Sequence, residues 1–138
     1  MKARGLFITL SVRDLKRSVE FFRQLGFEFD RRFTDDQGAC MIVNDHAHVV
    51  LLSELFFKTF TKRLICHRQS HTESVVACSC GSRAELDELI AKAIDAGGTR
   101  AMEPVDLGFM YAASFYDLDG HHWELVWVAV TTGATGRR

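Results

Sequence analysis

FYDLDGHHWELVW, residues 115–127, is the stretch from which the fold of this chain can be worked out. Its Asp-Leu-Asp-Gly segment lies between two aromatic and β-branched runs, which predicts a tight hairpin turn. The strand after the turn alternates, so His122 and Glu124 share one face, opposite Trp123. A carboxylate in mid-strand between large hydrophobic residues faces either solvent or a functional cavity. Glu124 is therefore the first candidate site residue.

The composition is that of a globular domain with a sizeable core. The chain has 138 residues, of which 47% are hydrophobic and 25% charged. Its net charge of −1 gives no indication of a basic surface that would bind nucleic acid or an anionic membrane. We expect neither a membrane span nor a signal peptide. The four cysteines lack metal-knuckle spacing, so we expect reduced thiols and a cytoplasmic protein.

The first half predicts a strand, a helix and three further strands. Residues 5–12 alternate as a half-buried strand does, and Asp14 can cap a helix that runs to about Leu25. Gly26 suits the left-handed residue that ends such a helix. The apolar stripe of the helix comprises Leu15, Val19, Phe22 and Leu25, and the strands are predicted near 27–33, 39–44 and 47–53.

The second half repeats this order after an interruption. Ser53 can cap a short helix that carries Phe56, Phe57 and Phe60, and an irregular basic loop then runs to Thr72. Ser82 precedes a helix over 83–96, which Gly97-Gly98 ends. The strands are predicted near 74–80, 99–103, 110–117 and 121–128, and a flexible polar tail over 131–138.

This internal repeat predicts an α+β fold of paired βαβββ modules. A single domain would span residues 1–130, with module 1 at about 4–54, a linker or lid at about 54–72 and module 2 at about 73–130. Each module has one helix to cover one face of its sheet. We therefore expect a curved mixed sheet with helices outside and a central cup.

Two segments resemble the vicinal oxygen chelate superfamily, which includes glyoxalases, bleomycin resistance proteins and extradiol dioxygenases. They are VRDLKRSVEFF (12–22) with LGF (25–27), and DLDGHHWEL (117–125). The two segments bracket nearly the whole chain in the order and spacing of that family. The resemblance implies the paired βαβββ fold, a small-molecule ligand and a homodimer whose cup is completed across subunits.

The resemblance also implies one divalent metal, held by about four side chains from the first and last strands of each module. The metal would act as a Lewis acid on two neighbouring substrate oxygens. The corresponding positions here are Phe7, Val75, the run 49–52 and Glu124, and only Glu124 can be a ligand. We therefore expect no resident cofactor. The alternative is a non-standard divalent metal site, for which Glu124 and His122 are the only candidate ligands from one strand, joined by His48 or Glu54.

A cup without the usual ligands would be apolar. Its predicted ligand-binding residues are Phe7, Thr9, Val75, Phe56, Phe57, Phe60 and His122, with Glu124 as the catalytic candidate. The three linker phenylalanines either pack between the modules or form a lid over the cup.

The remaining polar candidates have simpler explanations. His67 and His71 have helical metal-site spacing but fall in an irregular loop, which predicts solvated side chains. Cys66 lacks an orienting group that would make a reactive thiolate. Tyr111 and Tyr116 lie on opposite strand faces, so at most one hydroxyl reaches the cup.

Three hypotheses follow for the function. The first is a metal-independent protein that binds a small hydrophobic or aromatic molecule in the cup. The second is a metal-dependent lyase of the glyoxalase type, or a related enzyme of the superfamily. The third is a non-catalytic structural dimer, because the fold alone does not establish an activity.

Overall fold

The structure, a computed structural model, describes residues 1–129, so the predicted tail at 131–138 lies outside the described residues. One short α-helix and two longer ones are distributed among nine strands in this part of the chain. In chain order the elements are β1 (Leu6–Val12), α1 (Leu15–Gln24), β2 (Glu28–Asp30), a 3-10 turn (Arg31–Phe33), β3 (Gly38–Asn44), β4 (Ala47–Ser53), α2 (Glu54–Phe57), β5 (Val75–Ser79), α3 (Arg83–Asp95), β6 (Thr99–Arg100), β7 (Val105–Asp106), β8 (Met110–Tyr116) and β9 (His122–Val128).

The strands form two mixed sheets, one for each half of the chain. The first sheet has the order β1-β4-β3-β2, with β1 and β4 parallel. The second has the order β5-β9-β8-β6, with β7 also on β8 and with β5 and β9 parallel. The predicted α+β class with paired βαβββ modules is confirmed. Within one chain the two sheets are separate, so β1 and β5 are both edge strands.

The predicted helix ends are confirmed by their hydrogen bonds. The side chains of Asp14, Ser53 and Ser82 accept from the backbone N–H three residues later, each at the start of a helix. These bonds satisfy N–H groups that have no partner inside the helix. Gly26 and Gly97 have φ of +102° and +112° just past α1 and α3, where only glycine avoids strain.

Two predicted strands are shorter in the structure, and one observed strand was not predicted. The strand predicted at 27–33 stops at Asp30, because the Asp30 carboxylate accepts from the Arg32 N–H and starts a 3-10 turn. The strand predicted at 99–103 contains only Thr99 and Arg100. The missed strand β7 is two residues long and pairs with β8, and such a short segment carries no periodic pattern.

A single core joins the two modules. Helix α1 packs on its own sheet, and its Phe21 and Phe22 also reach the second sheet. Phe21 lies 6.1 Å from Phe115 and Phe22 lies 5.0 Å from Trp123, measured between ring centroids. The predicted apolar stripe of α1 did not include Phe21. With Phe21, the apolar side of the helix is wide enough to contact both sheets. The helix-covered faces of the two sheets therefore meet inside the chain, and the opposite faces point outward.

The structure bears on the expected thiols and on the expected absence of a membrane span. All four cysteines are free thiols, with Cys40 buried and the others half-buried. None of the helices within residues 1–129 has the length and hydrophobicity needed to cross a bilayer.

Candidate functional site

The outward faces of the two sheets carry the predicted site residues. Strand register places Phe7 beside His48 and Thr9 beside Val50 on the first sheet. It places Val75 beside His122 and Ala77 beside Glu124 on the second sheet. The first open face is defined by Phe7, Thr9, His48 and Val50, and the second open face by Val75, Ala77, Tyr116, His122 and Glu124.

The first open face is aromatic and apolar. The Phe7 ring is stacked on His48, with 5.0 Å between centroids and 15° between planes. Phe7 is nevertheless 65% exposed, so one side of its ring is available to a ligand. His48 Nδ1 is buried and has no hydrogen-bond partner within the described chain.

The predicted lid residues follow β4: Phe56 and Phe57 lie in α2, and Phe60 lies just beyond it. Helix α2 contacts both β1 and β4. Phe56 and Phe60 pack edge to face with 5.3 Å between centroids, and the Phe60 ring is largely exposed. Phe57 is half-buried.

The second open face carries Glu124 among small and apolar neighbours. Glu124 is half-buried, and no hydrogen bond or ion pair holds its carboxylate within residues 1–129. His122, two residues before it on the same face, packs edge-on against Tyr116 at 5.4 Å. Val75, on the neighbouring strand, is 51% exposed. Glu124 is thus a carboxylate whose oxygens are free to accept from a ligand.

One chain does not bring the two open faces together. Five surface clefts of the described chain are lined by other residues, and none of the five includes Phe7, Val75, His122 or Glu124. Residues 1–129 also contain no group of three or more His, Cys, Asp or Glu side chains arranged to hold a metal. The cup expected between the modules is therefore not enclosed by a single copy.

A buried polar network holds the Asp-Leu-Asp-Gly turn against the first module. Asp119, 3% exposed, accepts from the Arg13 backbone N–H at 2.9 Å and from Arg13 Nε at 3.1 Å. Its second oxygen accepts from Ser18 Oγ at 3.1 Å. Arg68 of the linker lies 3.8 Å from Asp119 and donates to Ser11 Oγ and to Glu54. The charges of Arg68 and Asp119 are thus buried together with partners, as their desolvation requires.

The turn itself is ordered by Asp117 and His121. Asp117 accepts from the Asp119 and His121 N–H groups and from Trp123 Nε1. Burial raises the pKa of the Asp117 carboxyl above its ordinary value, although His121 and these donors act in the opposite direction. His121 contacts the Ser11 carbonyl oxygen at 2.7 Å through Nε2 and the Glu73 carboxylate at 3.1 Å through Nδ1.

Sequence reasoning did not find the role of this network. Arg68 lies in an irregular linker where no periodicity marks a buried position, so only its long-range partners reveal it. Asp117 and Asp119 were visible as turn residues, but the partners of the Asp119 carboxylate, Arg13 and Ser18, lie in the first module. Glu54, considered as a metal ligand, is engaged by Arg68.

The other polar candidates lie away from the open faces. His67 and His71 are exposed in the linker, and Cys66 is half-buried beside them. The Tyr111 hydroxyl donates to Asp87 at 2.7 Å, which raises the pKa of Tyr111. Tyr116 is therefore the tyrosine that borders an open face.

The model of the glyoxalase/bleomycin resistance protein/dioxygenase superfamily matches residues 6–125. The chain belongs to this superfamily. The predicted membership is confirmed, and it agrees with the two βαβββ modules. Comparison with curated protein sequences gives no match.

Solved structures of other proteins share the fold. A hypothetical protein, SA1046 from S. aureus, is 26% identical, with 92% of this chain and 95% of that chain covered and a TM-score of 0.78. A glyoxalase-related enzyme from Fulvimarina pelagi is 18% identical, with 92% and 88% covered and a TM-score of 0.77. The fosfomycin resistance protein FosX from Listeria monocytogenes is 20% identical, with 94% and 97% covered and a TM-score of 0.67.

The superfamily's usual metal site does not fit the residues of this chain. Phe7 and Val75 stand on the two open faces where the resemblance expects ligands, and neither side chain has a donor atom for a metal. Val50, beside Thr9 on β4, has none either. Glu124 is the one side chain among the positions Phe7, Val50, Val75 and Glu124 that has a donor atom for a metal.

Proposed function

We propose that this superfamily member binds a small hydrophobic or aromatic molecule, without the usual metal site, in a cup completed by a second copy of the chain. The observation that carries the proposal is the pair of open faces. Each presents exposed apolar side chains, and one of them surrounds Glu124, whose carboxylate has no partner in the described chain. A half-buried carboxylate rimmed by apolar residues suits a ligand with an apolar body and one hydrogen-bond donor.

The exposed edge strands support the proposal that two copies of the chain pair. Both β1 and β5 end their sheets with unpaired backbone groups, and each carries exposed apolar side chains such as Leu6, Phe7 and Val75. Exposed edges of this kind pair with another strand unless they are covered. Placing β1 of one copy beside β5 of another would join a first open face to a second open face. The two half-sites would then form the cup.

The dimer is tested with Val75→Lys, measured by light scattering after size exclusion. Because Val75 is 51% exposed in one chain, the lysine leaves the protomer folded but places a charge at the edge of β5. We expect wild type to be a dimer and the variant a monomer with a native circular dichroism spectrum. Leu64→Lys, at a linker position that is 97% exposed, is the matched control and should remain dimeric. A wild-type monomer would refute the shared cup.

Ligand binding is tested with N-phenyl-1-naphthylamine, a neutral aromatic fluorophore. We expect saturable binding to wild type, about tenfold weaker binding to Glu124→Gln through loss of a charge-assisted hydrogen bond, and weaker binding to Phe7→Ala. Glu103→Gln, at an exposed position, is the control for the carboxylate and should bind as wild type does. Equal affinity of all four proteins would place the probe elsewhere and remove the support for this site.

Elemental analysis separates this proposal from the metal-dependent lyase. We expect no stoichiometric divalent metal in wild type or in Glu124→Ala, before or after soaking with zinc, nickel or manganese. A stoichiometric ion that is lost in Glu124→Ala would favour the lyase instead. That result would also point to His122 and His48 as partner ligands across the two copies.

A further inference from the structure

One cleft of the described chain lies away from both the Glu124 carboxylate and the Phe7 ring. It has a volume of about 560 Å³ and forms where the linker, α1 and the two ends of the second module converge. Its walls are the linker segment 69–72, Arg17 of α1, Gly97 and Thr99 after α3, and the turn that follows Tyr116. Four separate parts of the chain thus build one concave surface.

The charge presented to this cleft is positive. The exposed Arg17 side chain has no hydrogen bond or ion pair within residues 1–129. Arg68 also borders the cleft, but its guanidinium is held by Ser11 and the Asp119 carbonyl oxygen. The one acidic residue in the wall is Asp117, which is 7% exposed.

The Asp117 carboxylate does not compete with an incoming anion for donors. Its Oδ1 accepts from two backbone N–H groups at 2.9 and 3.0 Å, and its Oδ2 accepts from Trp123 Nε1 at 3.0 Å. These donors occupy both oxygens and lie in the turn. Arg17 therefore remains as the charged group available to a ligand.

The remaining polar side chains of the cleft can donate hydrogen bonds. Ser70 Oγ lies 2.7 Å from His71 Nδ1, which leaves Nε2 as the ring nitrogen available to a ligand. Thr72, Thr99 and Tyr116 add hydroxyl groups to the wall. A guanidinium with nearby hydroxyl and imidazole donors is the group of partners that an oxyanion requires.

We propose that this cleft binds an oxyanion, either free phosphate or the phosphate or carboxylate group of a small metabolite. Arg17 supplies the charge, and His71 and the hydroxyl groups supply the further donors. The site is separate from the proposed cup and shares with it only Tyr116, whose ring contacts His122. Anion binding here requires neither a metal nor the Glu124 carboxylate.

The test is a titration of ¹⁵N-labelled full-length protein with inorganic phosphate at constant ionic strength, followed through the backbone amides. We expect saturable shifts at residues 70–72, Gly97 and Gly120. Arg17→Gln should weaken phosphate binding about tenfold, as the loss of one charge-assisted hydrogen bond does. Lys16→Gln is the matched control, because Lys16 is an exposed cation next in sequence that does not border the cleft.

A second titration with acetate identifies the chemistry of the anion. Tighter binding of phosphate assigns the cleft to phosphoryl groups, and equal or tighter binding of acetate assigns it to carboxylates. No saturable shift with either anion would overturn the proposal. Equal weakening by Arg17→Gln and Lys16→Gln would also overturn it, because the effect would then be general charge screening. The Glu124→Gln variant should bind phosphate as wild type does, so the failure of one proposed site leaves the other intact.

Discussion

At the scale of single residues, Asp119 connects the two ends of the chain. Its carboxylate accepts from Arg13 and Ser18 of the first module and lies beside the buried Arg68 of the linker. Most ion pairs on a protein surface contribute little to stability, but a buried charge that loses its partner is costly. Removing this carboxylate would take a hydrogen-bond acceptor from Arg13 and Ser18 and an opposite charge from Arg68.

We therefore expect Asp119→Ala to lower the free energy of unfolding by about 3 kcal/mol or more, measured by urea denaturation. Asp119→Asn keeps the shape and part of the hydrogen bonding, so it should cost less. Asp36→Ala, at an exposed position in a turn, should change stability by about 0.5 kcal/mol or less. A cost for Asp119→Ala no larger than that of Asp36→Ala would contradict the role of the network.

Burial makes the Cys80 thiol less reactive by raising its pKa. Its pKa is raised from 9.0 to about 11, chiefly by burial and further by Glu85 and Cys78. Because the thiolate is the reactive form, a raised pKa lowers the fraction of Cys80 that is reactive at neutral pH. At pH 8 the thiolate population is about 100-fold below that of a thiol with a pKa of 9.0, one factor of ten for each pKa unit.

Alkylation of Cys80 by iodoacetamide should accordingly be slow at pH 8 and should accelerate about tenfold per pH unit until the pH approaches 11. The rate can be followed by mass spectrometry of the Cys80 peptide. The same protein unfolded in urea provides the reference rate. Equal rates in the folded and unfolded states would show that the thiol is not protected.

At the scale of elements, the Asp-Leu-Asp-Gly turn depends on two properties of Gly120. Its φ is +86°, where a side chain is strained, and an added Cβ would lie 2.8 Å from the Arg68 carbonyl oxygen. Gly108 has a similar φ of +84° but has open space around it. Substitutions at Gly108 and Gly120 therefore distinguish the cost of backbone strain from the cost of steric contact.

We expect Gly108→Ala to cost about 1 kcal/mol of unfolding free energy from the left-handed backbone alone. Gly120→Ala should cost a further 1–3 kcal/mol, roughly, because the linker backbone at Arg68 must move. Thermal or urea unfolding of the two variants measures the difference. Equal costs would mean that the linker yields freely and does not anchor the turn.

At the scale of the whole molecule, α1 determines how the modules are joined. Phe22 is 1% exposed and contacts Phe21 and Phe27 of its own module and Trp123 of the other. A side chain shared by two modules couples their unfolding, since neither can open without exposing it.

Phe22→Ala should therefore destabilise both modules together, by about 3–5 kcal/mol. Urea unfolding should remain a single transition when it is followed by Trp fluorescence and by circular dichroism. Phe33→Ala, at a position that is 65% exposed, is the control and should change stability by about 0.5 kcal/mol or less. Two separate transitions in wild type would show that the modules have independent cores.

Local patterns in the sequence were enough to predict the elements and the repeat. Asp14, Ser53 and Ser82 identified helix starts, and Gly26 identified a helix end, because capping depends on residues only a few positions apart. Alternation placed His122 and Glu124 on one strand face, since the period of a strand is local. The family signature at 117–125 then led to the superfamily. The sequence also showed that Phe7 and Val75, at the family's ligand positions, have no donor atom for a metal, which leaves Glu124 as the candidate.

The tertiary structure alone decided which surfaces meet. The sequence shows that each helix covers one face of its sheet, and it does not show what packs against the other side of the helix. Phe21 and Phe22 determine this through contacts with Phe115 and Trp123, more than 90 residues away. Burial of Arg68 and the cleft beside Arg17 depend in the same way on distant parts of the chain. Interactions of this range leave no periodic pattern, because the hydrophobic effect and charge pairing act on whatever surfaces the fold brings together.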